Sequence, residues 1–319
     1  MKKKFKNFFQ ILNQRGLFIL FKSIVNLITL VFIRDILKKE KIIKKVNNYK
    51  MILMTNDRGI SRSLTLFGTR EEDKKYILNK ILTENMSVFD IGANIGYYTI
   101  FFAKKLREGQ ILAIEPSLEN IKLCKENIDL NYINKKKITF LQAGVSNKNS
   151  SVDFFLSKQS NLHTLNPDGS AKEFLTGKKI KIKTFSIKSL SQKYFTPNLI
   201  RMDVEGHECE IISGMLCSIK KKLRPHICFE PHIDSYSKNN NFAQTLSEIF
   251  KLKYYTNMLS SNAEHGTTRI MSLIKKKPEI IIPSDGEKRG IFFDLNPEDT
   301  IKILTKIGGA RTVLLSPKN

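Results

Sequence analysis

The stretch VFDIGANIGYYTIFFAKKL, from Val88 to Leu106, decides the fold of this 319-residue chain. It begins with an apolar run, passes through a loop that contains Gly92 and Gly96, and continues in a helical pattern. A strand, a glycine loop and a helix in this order present backbone N–H groups and a helix N-terminus to a ligand, and the absent side chains let that ligand approach. The stretch therefore predicts a nucleotide-binding site of the α/β type.

The spacing of the loop excludes two common nucleotide sites. A dinucleotide fingerprint would read G-x-G-x-x-G, whereas here Asp90 is followed by two glycines four positions apart. No Lys-Ser or Lys-Thr pair follows Gly96, which excludes a phosphate-binding P-loop. An acid at Asp90 would repel a pyrophosphate but could accept hydrogen bonds from a ligand with a sulfonium and an amino group. Glu115 follows about twenty residues later, where a ribose diol would be held.

Apolar runs alternate with helical patterns from Met86 onward, which predicts a parallel sheet covered by helices on both faces. Five strands are predicted, at 86–91, 110–115, 137–143, 199–204 and 226–231. Four helices are predicted between and after them, at 95–106, from the capping residue Ser117 onward, at 206–222 and at 242–251.

The remaining patterns predict an exposed antiparallel pair and an additional C-terminal part. The pair is expected at 151–157 and 179–187, and the polar segment between these strands is expected to lie over the carboxyl ends of the sheet. His163 in this segment is expected to be solvated. Further strands are predicted at 252–258, 268–274, 290–295 and 311–316, with a short helix at 297–307.

Asp90, Gly92, Gly96 and Glu115 together resemble the class I S-adenosylmethionine (SAM)-dependent methyltransferases. A second stretch, LIRMDVEGHECEIISGM from Leu199 to Met215, makes the resemblance more specific. Together with VFDIGANIGYYT it is similar to the FkbM family, whose members carry a D-x-E-G-x-E segment here. The resemblance covers about residues 69–274. It implies a doubly wound, Rossmann-like and mostly parallel seven-stranded sheet, and SAM-dependent O-methylation of a hydroxyl on a sugar, glycan or secondary metabolite.

The resemblance also implies which residues hold the cofactor. The two glycines would leave room for the amino acid end and the ribose of SAM, and the loop after the third strand would pass near the adenine. The predicted cofactor-binding residues are Asp90, Gly92, Asn94, Gly96, Glu115, Pro116, Gln142, Ala143, Gly144 and Asp203.

Polar residues at the carboxyl ends of the fourth and fifth strands predict the site of the methyl acceptor. Transfer to a hydroxyl requires alignment and removal of the hydroxyl proton. His207 is the predicted base, with Glu205 or Glu230 orienting it and Asp203 below the methionine part of the cofactor. The alternative is a divalent cation that lowers the pKa of the hydroxyl, held by some of Asp203, His207, Glu230 and His232.

The positive charge is concentrated at the N-terminus. The chain has a net charge of +24, and residues 1–50 hold 13 Lys or Arg against two acidic residues. Residues 1–68 are therefore predicted to form a basic, partly apolar, helical extension, and residues 69–319 the methyltransferase domain. The segment 16–33 is apolar but is interrupted by Lys22 and Asn26. It is expected either to lie on an anionic membrane as an interfacial helix or to be buried against the domain.

Two other functions are alternatives to methyl transfer to a small molecule or glycan. The basic charge permits a nucleic-acid methyltransferase, but the sequence contains no aromatic-basic RNA-binding module and no N-P-P-Y type tetrapeptide. A membrane-associated, non-catalytic binding protein with a methyltransferase fold is the third possibility. The intact set of Asp90, Gly92, Gly96 and Glu115 argues against it.

The four cysteines show no CxxC pair and no metal-site spacing. Each falls in a predicted helix or strand, so all four are expected to be core residues in a reducing compartment. The predicted location is the cytoplasm or, peripherally, the inner face of the membrane.

Overall fold

A computed structural model describes residues 15–169, 171–221, 223–236 and 241–318. The predicted basic residues Lys2, Lys3, Lys4 and Lys6 lie outside these ranges. Within the described ranges the strands are β1 (Lys41–Val46), β2 (Tyr49–Met54), β3 (Val88–Ile91), β4 (Ile111–Ile114), β5 (Ile138–Leu141), β6 (Gly144–Val145), β7 (Ser150–Ser157), β8 (Leu175–Phe185), β9 (Leu199–Met202), β10 (His226–Phe229), β11 (Tyr254–Ser261), β12 (Ile280–Ser284), β13 (Glu287–Leu295) and β14 (Ala310–Pro317).

Ten α-helices are described in the same ranges. They are α1 (Leu17–Val31), α2 (Ile60–Phe67), α3 (Glu72–Ile81), α4 (Tyr97–Lys105), α5 (Leu118–Leu130), α6 (Ile187–Lys193), α7 (Glu208–Lys220), α8 (Phe242–Lys251), α9 (Glu264–Ile274) and α10 (Pro297–Lys302). Two of them, α1 and α10, continue directly into one turn of π-helix. Ser117 caps α5 as predicted, because its side chain accepts the N–H of Asn120.

The central sheet has the strand order β12-β13-β11-β14-β10-β9-β3-β4-β5. The five predicted core strands, β3, β4, β5, β9 and β10, are confirmed and pair in parallel. The other four join through antiparallel pairs. The doubly wound α/β fold is therefore as predicted, but among the described residues the sheet has nine strands instead of seven, and five of them pair in parallel.

The direction of winding reverses between β3 and β9. From β3 the chain proceeds through β4 to β5 at one edge, and it then returns to place β9 and β10 on the other side of β3. In open α/β sheets, ligands bind at the carboxyl ends of the strands at such a reversal. This topology places the site beside the loop that follows β3.

Two hydrophobic clusters cover the two faces of the sheet. Phe89 and Ile200 belong to one cluster, whereas their neighbours Val88 and Leu199 belong to the other. Successive residues of a strand point to opposite faces, so a strand buried on both faces must be apolar at every position. This explains why β4 is apolar throughout, and why Asp90 in β3 and Arg201 in β9 are the exceptions that pair with each other.

Two C-terminal predictions need correction. Residues 268–274 form the end of helix α9 and not a strand. Gly266, Ile270 and Ile274 recur every four residues, which is a helical spacing, and Ile270 is fully buried. Strand β12 was not predicted. It forms a hairpin with β13, and the Asp285-Gly286 pair between them was the sequence signal that could have indicated it. Both turn residues have positive φ, as such a turn requires.

A small sheet lies outside the central one. The antiparallel pairing of β7 with β8 is confirmed, and β6 joins β8 in parallel. The segment between β7 and β8 lines the cavity described below.

The N-terminal part contributes both to the core and to the surface. Val46, Met51 and Leu64 belong to the same hydrophobic cluster as Val88. The predicted domain boundary at residue 68 stays a prediction. The described part of the apolar segment is the helix α1, which buries Leu20 and Leu30 and exposes most of its other apolar residues.

The predicted burial of the cysteines is confirmed for three of the four. Cys124, Cys209 and Cys228 are buried, whereas Cys217 on α7 is exposed. The prediction for Cys217 was wrong because it lies on the outer face of an amphipathic helix.

Candidate active site

A cavity of about 290 Å³ opens at the carboxyl edge of the central sheet. A smaller space of about 60 Å³ adjoins it beside the end of β4. The two share a wall formed by Gly92, Asn94, Asn161, Asp203 and Glu205. The loops after β3, β4, β9 and β10 therefore converge on two adjoining cavities, which together are called the cleft.

Both loop glycines have structural reasons that the sequence did not reveal. Gly92 has a φ of 72°, and a Cβ there would lie 2.1 Å from the carbonyl oxygen of Asp203. Gly96 has a φ of 90°, and a Cβ there would meet the sulfur of Cys124 on α5 at 2.7 Å. Both positions also require the left-handed conformation that favours glycine. Gly92 lines both cavities, and Gly96 lies behind them as a packing residue.

Asn94 and Glu115 meet at the smaller cavity. The N–H of Asn94 donates to one carboxylate oxygen of Glu115 at 2.9 Å, and the N–H of Ser117 donates to the other at 2.9 Å. Burial raises the pKa of Glu115 to about 7, against the lowering effect of these backbone donors. Each oxygen keeps a lone pair for a further donor, so this carboxylate can accept two hydroxyl groups.

The smaller cavity is an apolar slot that ends at Glu115. Pro116, Ala143, Gly144 and Val145 line it. A flat aromatic base fits such a slot when its sugar hydroxyls reach the carboxylate. Gln142 is exposed and lies outside the lining, where its amide donates to the carbonyl of Pro116 at 3.4 Å.

Asp90 is buried below the cleft and does not reach it. Its carboxylate accepts from the hydroxyl of Thr99 at 2.7 Å and from the guanidinium of Arg201 at 3.3 Å. Burial raises the pKa of Asp90, although Arg201 and Thr99 act in the opposite direction. Arg201 also donates to the carbonyl of Gly92 at 3.1 Å. Asp90 therefore supports the glycine loop through Arg201.

Asp203 lies on the wall between the two cavities. It accepts from Arg201 at 2.9 Å and lies 3.5 Å from the ammonium of Lys74. Burial opposes ionisation, but Lys74 and Arg201 hold the pKa of Asp203 well below its usual range. Its side chain is 22% exposed, so the ionised carboxylate is available to a positively charged group of a ligand.

Glu205, His232 and Glu208 form a row at the edge of the larger cavity. Nδ1 of His232 lies 2.9 Å from Glu208, and Nε2 lies 3.4 Å from Glu205. Burial raises the pKa of Glu205 to about 8; His232 opposes this shift, and the nearby acids add to it. Burial would lower the pKa of His232, but Glu208, Glu205 and Glu230 raise it well above its usual value. The row therefore combines an imidazole that favours its protonated form with a carboxyl group whose pKa is raised to about 8.

Glu230 connects the cleft with residues distant in sequence. It accepts from Lys74 at 3.2 Å and from Arg311 on β14, and it lies 3.9 Å from Nε2 of His232. Glu71 lies between Lys74, at 3.0 Å, and Arg311, at 3.5 Å. The charges alternate across the floor of the cavity, so each buried carboxylate has a cation beside it.

The structure does not bring His207 together with Glu205 or Glu230. His207 begins α7, its Nε2 lies 2.9 Å from the hydroxyl of Ser146, and its Nδ1 lies 3.7 Å from Glu210. Burial lowers the pKa of His207. The histidine that Glu205 and Glu230 flank is His232, which the sequence named only as a cation ligand.

Several lining residues were missed from the sequence. Glu71, Arg70 and Arg311 line the larger cavity, with Lys74 directly behind them. They come from the start of α3 and from β14, more than 200 residues apart. Arg201, which also lines the larger cavity, is the missed residue with a local sequence signal. It stands two positions before Asp203 at the end of a buried strand, in the tripeptide RMD at 201–203.

Two groups of acidic residues and histidine have a spacing compatible with a cation, namely Asp203 with Glu205 and His232, and Glu71 with Asp203 and Glu230. Both groups include Asp203, which already contacts Lys74 and Arg201. In the second group, Glu71 and Glu230 also contact Lys74. These residues fit a divalent cation poorly because it would have to displace or lie beside existing positive charges.

The segment between β7 and β8 closes one side of the cleft, as predicted. The carbonyl of Ser160 accepts from Asn94 at 3.1 Å and from Asn120 at 3.2 Å. His163 was expected to be solvated, but it is partly buried and lines the smaller cavity. Its Nδ1 accepts the N–H of Ser157 at 2.8 Å, so it stabilises the segment.

Parallel core strands with a cleft at the winding reversal, a glycine loop and an acid after the second strand are features of the α/β proteins that bind a nucleotide at the carboxyl edge of the sheet. The family model described as Methyltransferase FkbM domain matches residues 90–256. The protein therefore belongs to the FkbM methyltransferase family.

Comparisons with individual proteins give more distant similarities. A hexuronic acid methyltransferase, AglP, of Haloferax volcanii is 28% identical over 149 residues, which is 46% of this chain and 56% of the relative. The chain thus spans little more than half of that relative. The crystal structure of an FkbM methyltransferase from Methylobacillus flagellatus matches with a TM-score of 0.40 and 16% identity, over 73% of this chain and 52% of that chain. TYW2 of M. jannaschii, in complex with AdoMet, matches with a TM-score of 0.39 and 13% identity, over 88% of each chain.

Proposed function

We propose that the protein is a SAM-dependent O-methyltransferase that acts on a hydroxyl of a sugar, glycan or secondary metabolite. The observation that carries this proposal is that the two cavities adjoin. Glu115 lines the smaller one, Glu230 and His232 line the larger one, and Glu205 lies with Asp203 on the wall that they share. A nucleoside in the smaller cavity and an acceptor in the larger one would meet at this wall.

The residues present fit SAM in the first half of the cleft. Glu115 would accept the two ribose hydroxyls, and Pro116, Ala143 and Val145 would contact the adenine. Asp203 would attract the ammonium group of the amino acid end. Asp90 would act indirectly, because it holds Arg201 against the carbonyl of Gly92. SAM supplies an activated methyl group on a positively charged sulfur.

Glu205 would remove the proton from the acceptor hydroxyl. As the acceptor oxygen would take up the methyl group that SAM supplies, the hydroxyl proton would pass to the Glu205 carboxylate. A base with a pKa near the working pH serves this purpose best, and Glu205 has a pKa of about 8. His232, held by Glu208, would orient Glu205 and favour its ionised form.

The acceptor class is supported by the family and by the distant relative that methylates a hexuronic acid. The larger cavity of about 290 Å³ has the size of a site for one sugar unit. Its wall combines carboxylates with Arg70, Arg201 and Arg311. Such groups hydrogen-bond to sugar hydroxyls and to a sugar carboxylate.

The test is an assay with methyl-labelled SAM and separate pools of neutral glycans, uronic-acid glycans and nucleic acid. We expect label in a glycan pool as a methyl ether that resists mild alkali. A methyl ester or label in nucleic acid would contradict the proposal. Calorimetry with S-adenosylhomocysteine tests the cofactor separately, and binding should disappear in Glu115→Ala while persisting in His207→Ala.

A further inference from the structure

Helix α1 presents a long apolar face that no other described part of the chain covers. Leu20, Ser23 and Leu30 on one side of the helix are buried against the domain. The opposite side consists of exposed apolar residues, namely Leu17, Phe18, Phe21, Ile24, Val25, Ile28 and, in the following turn, Phe32. Phe18 is 77% exposed and Ile28 is 64% exposed. A contiguous patch of this kind marks an interaction surface.

The contacts of α1 show that it lies along the domain. The side-chain amide of Asn26, in the middle of the helix, donates to the carbonyl of Leu66 at 3.0 Å. Lys44 donates to the same side chain at 2.9 Å, and the guanidinium of Arg15 lies over the ring of Phe67 at 3.9 Å. By length and composition the helix could cross a membrane. A crossing helix, however, would place Asn26 and its partners in hydrocarbon.

Positive charge surrounds the apolar face. Residues 15–50 contain nine Lys or Arg and two acidic residues, and one of those acids, Asp35, is paired with Arg34. Lys22, Lys38, Lys39 and Lys45 are exposed. An apolar face rich in phenylalanine beside exposed lysines is typical of helices that lie in the interface of anionic membranes.

We propose that α1 lies in the interfacial plane of an anionic lipid bilayer, with Phe18, Phe21, Ile28 and Phe32 in the headgroup–acyl boundary. The buried side of the helix then serves as its attachment to the domain. This proposal does not depend on the chemistry of the cleft. Membrane binding through α1 would nevertheless affect the position of the cleft. Helix α2 connects the two, because it runs from Ile60 on the cavity wall to Leu66, whose carbonyl accepts from Asn26. Six residues of helix span about 9 Å, so the cleft would open close to the bilayer surface.

The test is co-sedimentation of the full chain with vesicles made of equal parts phosphatidylglycerol and phosphatidylcholine, compared with pure phosphatidylcholine vesicles. We expect strong binding to the anionic vesicles and at least tenfold weaker binding to the neutral ones. Phe21→Ser/Ile28→Ser should lose at least tenfold in binding to the anionic vesicles. The matched control is Tyr132→Ser/Ile281→Ser, which changes two large exposed side chains distant in sequence, 97% and 59% exposed against 66% and 64% for Phe21 and Ile28, and it should bind as the unmodified protein does.

Charge is tested in the same assay. Lys38→Gln/Lys39→Gln should weaken binding to anionic vesicles, whereas Lys178→Gln/Lys181→Gln on β8 should have a smaller effect. Unaltered thermal unfolding of each variant shows that the fold is kept. The proposal is overturned if the full chain stays in the supernatant with anionic vesicles, or if Phe21→Ser/Ile28→Ser binds normally. It is equally overturned if sedimentation velocity shows a dimer that this variant converts to a monomer without any vesicle binding, because a second copy would then cover the face.

Discussion

The Nδ1 atom of His232 lies 2.9 Å from a carboxylate oxygen of Glu208, a residue that is fully buried at the first turn of α7. This pairing fixes the imidazole so that its other nitrogen faces Glu205 at 3.4 Å. Since Glu208 raises the pKa of His232, the ring carries a proton at neutral pH and cannot be the base. The arrangement therefore assigns proton removal to Glu205 in the proposed mechanism.

The first prediction concerns Glu205. Glu205→Gln should lower kcat about 10²–10⁴-fold, which is the usual contribution of a general base, while S-adenosylhomocysteine still binds in calorimetry. For the unmodified protein, kcat should rise with pH and level off above about 8, because only the ionised carboxylate accepts a proton. His207→Gln is the control and should remain active, since His207 contacts Ser146 and Glu210 outside the cleft. Full activity of Glu205→Gln would refute the assignment.

The second prediction concerns the positioning residue Glu208. Glu208→Gln removes a negative charge from His232, so the imidazole should lose its proton more easily. Glu205 would then lack the cation that favours its ionised form, and its pKa should rise. The pH profile of kcat should shift toward alkaline pH, and activity should recover when the pH is raised. A uniform loss at every pH would indicate a structural role only.

The third prediction concerns the pH dependence of cofactor binding. The pKa of Glu115 is about 7 in the empty site, and only its ionised form can accept both ribose hydroxyls. Below that value the carboxyl group must lose its proton on binding, so affinity should rise about tenfold per pH unit up to about 7 and then level off. Calorimetry with S-adenosylhomocysteine across this range measures it. Glu115→Gln should bind weakly with no such dependence, and a persistent dependence would point to another group.

The fourth prediction separates Asp90 from the cofactor. Asp90→Ala leaves the buried guanidinium of Arg201 with one carboxylate partner fewer, and breaking a buried ion pair costs about 3–5 kcal/mol. Chemical denaturation should show a loss of this order. Asp90→Asn can still accept from Thr99 and should lose less. If Asp90→Ala kept its stability but lost cofactor binding, Asp90 would contact the cofactor directly.

The fifth prediction concerns metal dependence. Exhaustive chelation followed by dialysis should leave methyl transfer unchanged, because Lys74 and Arg201 already neutralise Asp203. Lys74→Met, in contrast, should make the site more receptive to a divalent cation by removing a fully buried positive charge. Loss of activity on chelation that is restored by one added metal would contradict this expectation.

The sequence revealed the parts of the fold that depend on local pattern. The strand ending at Ile91, the two loop glycines and the helix after them follow from apolar runs and turn residues, which any parallel sheet with a ligand loop requires. The same reasoning failed for residues 268–274, since a short β-branched apolar run is compatible with both a strand and a helix. Packing against the sheet decided in favour of a helix.

The sequence by itself determined the fold class, the edge of the sheet that carries the site and most of its acids, because strand ends and glycine loops are local signals. The tertiary structure alone decided which histidine meets Glu205, that Asp90 lies beneath the cleft, and that Lys74 and Arg311 converge on Glu230. Protonation depends on burial and on charges a few ångströms away. Asp90 and Arg201, like Lys74 and Glu230, lie more than a hundred residues apart in the chain, and no local pattern records their contacts.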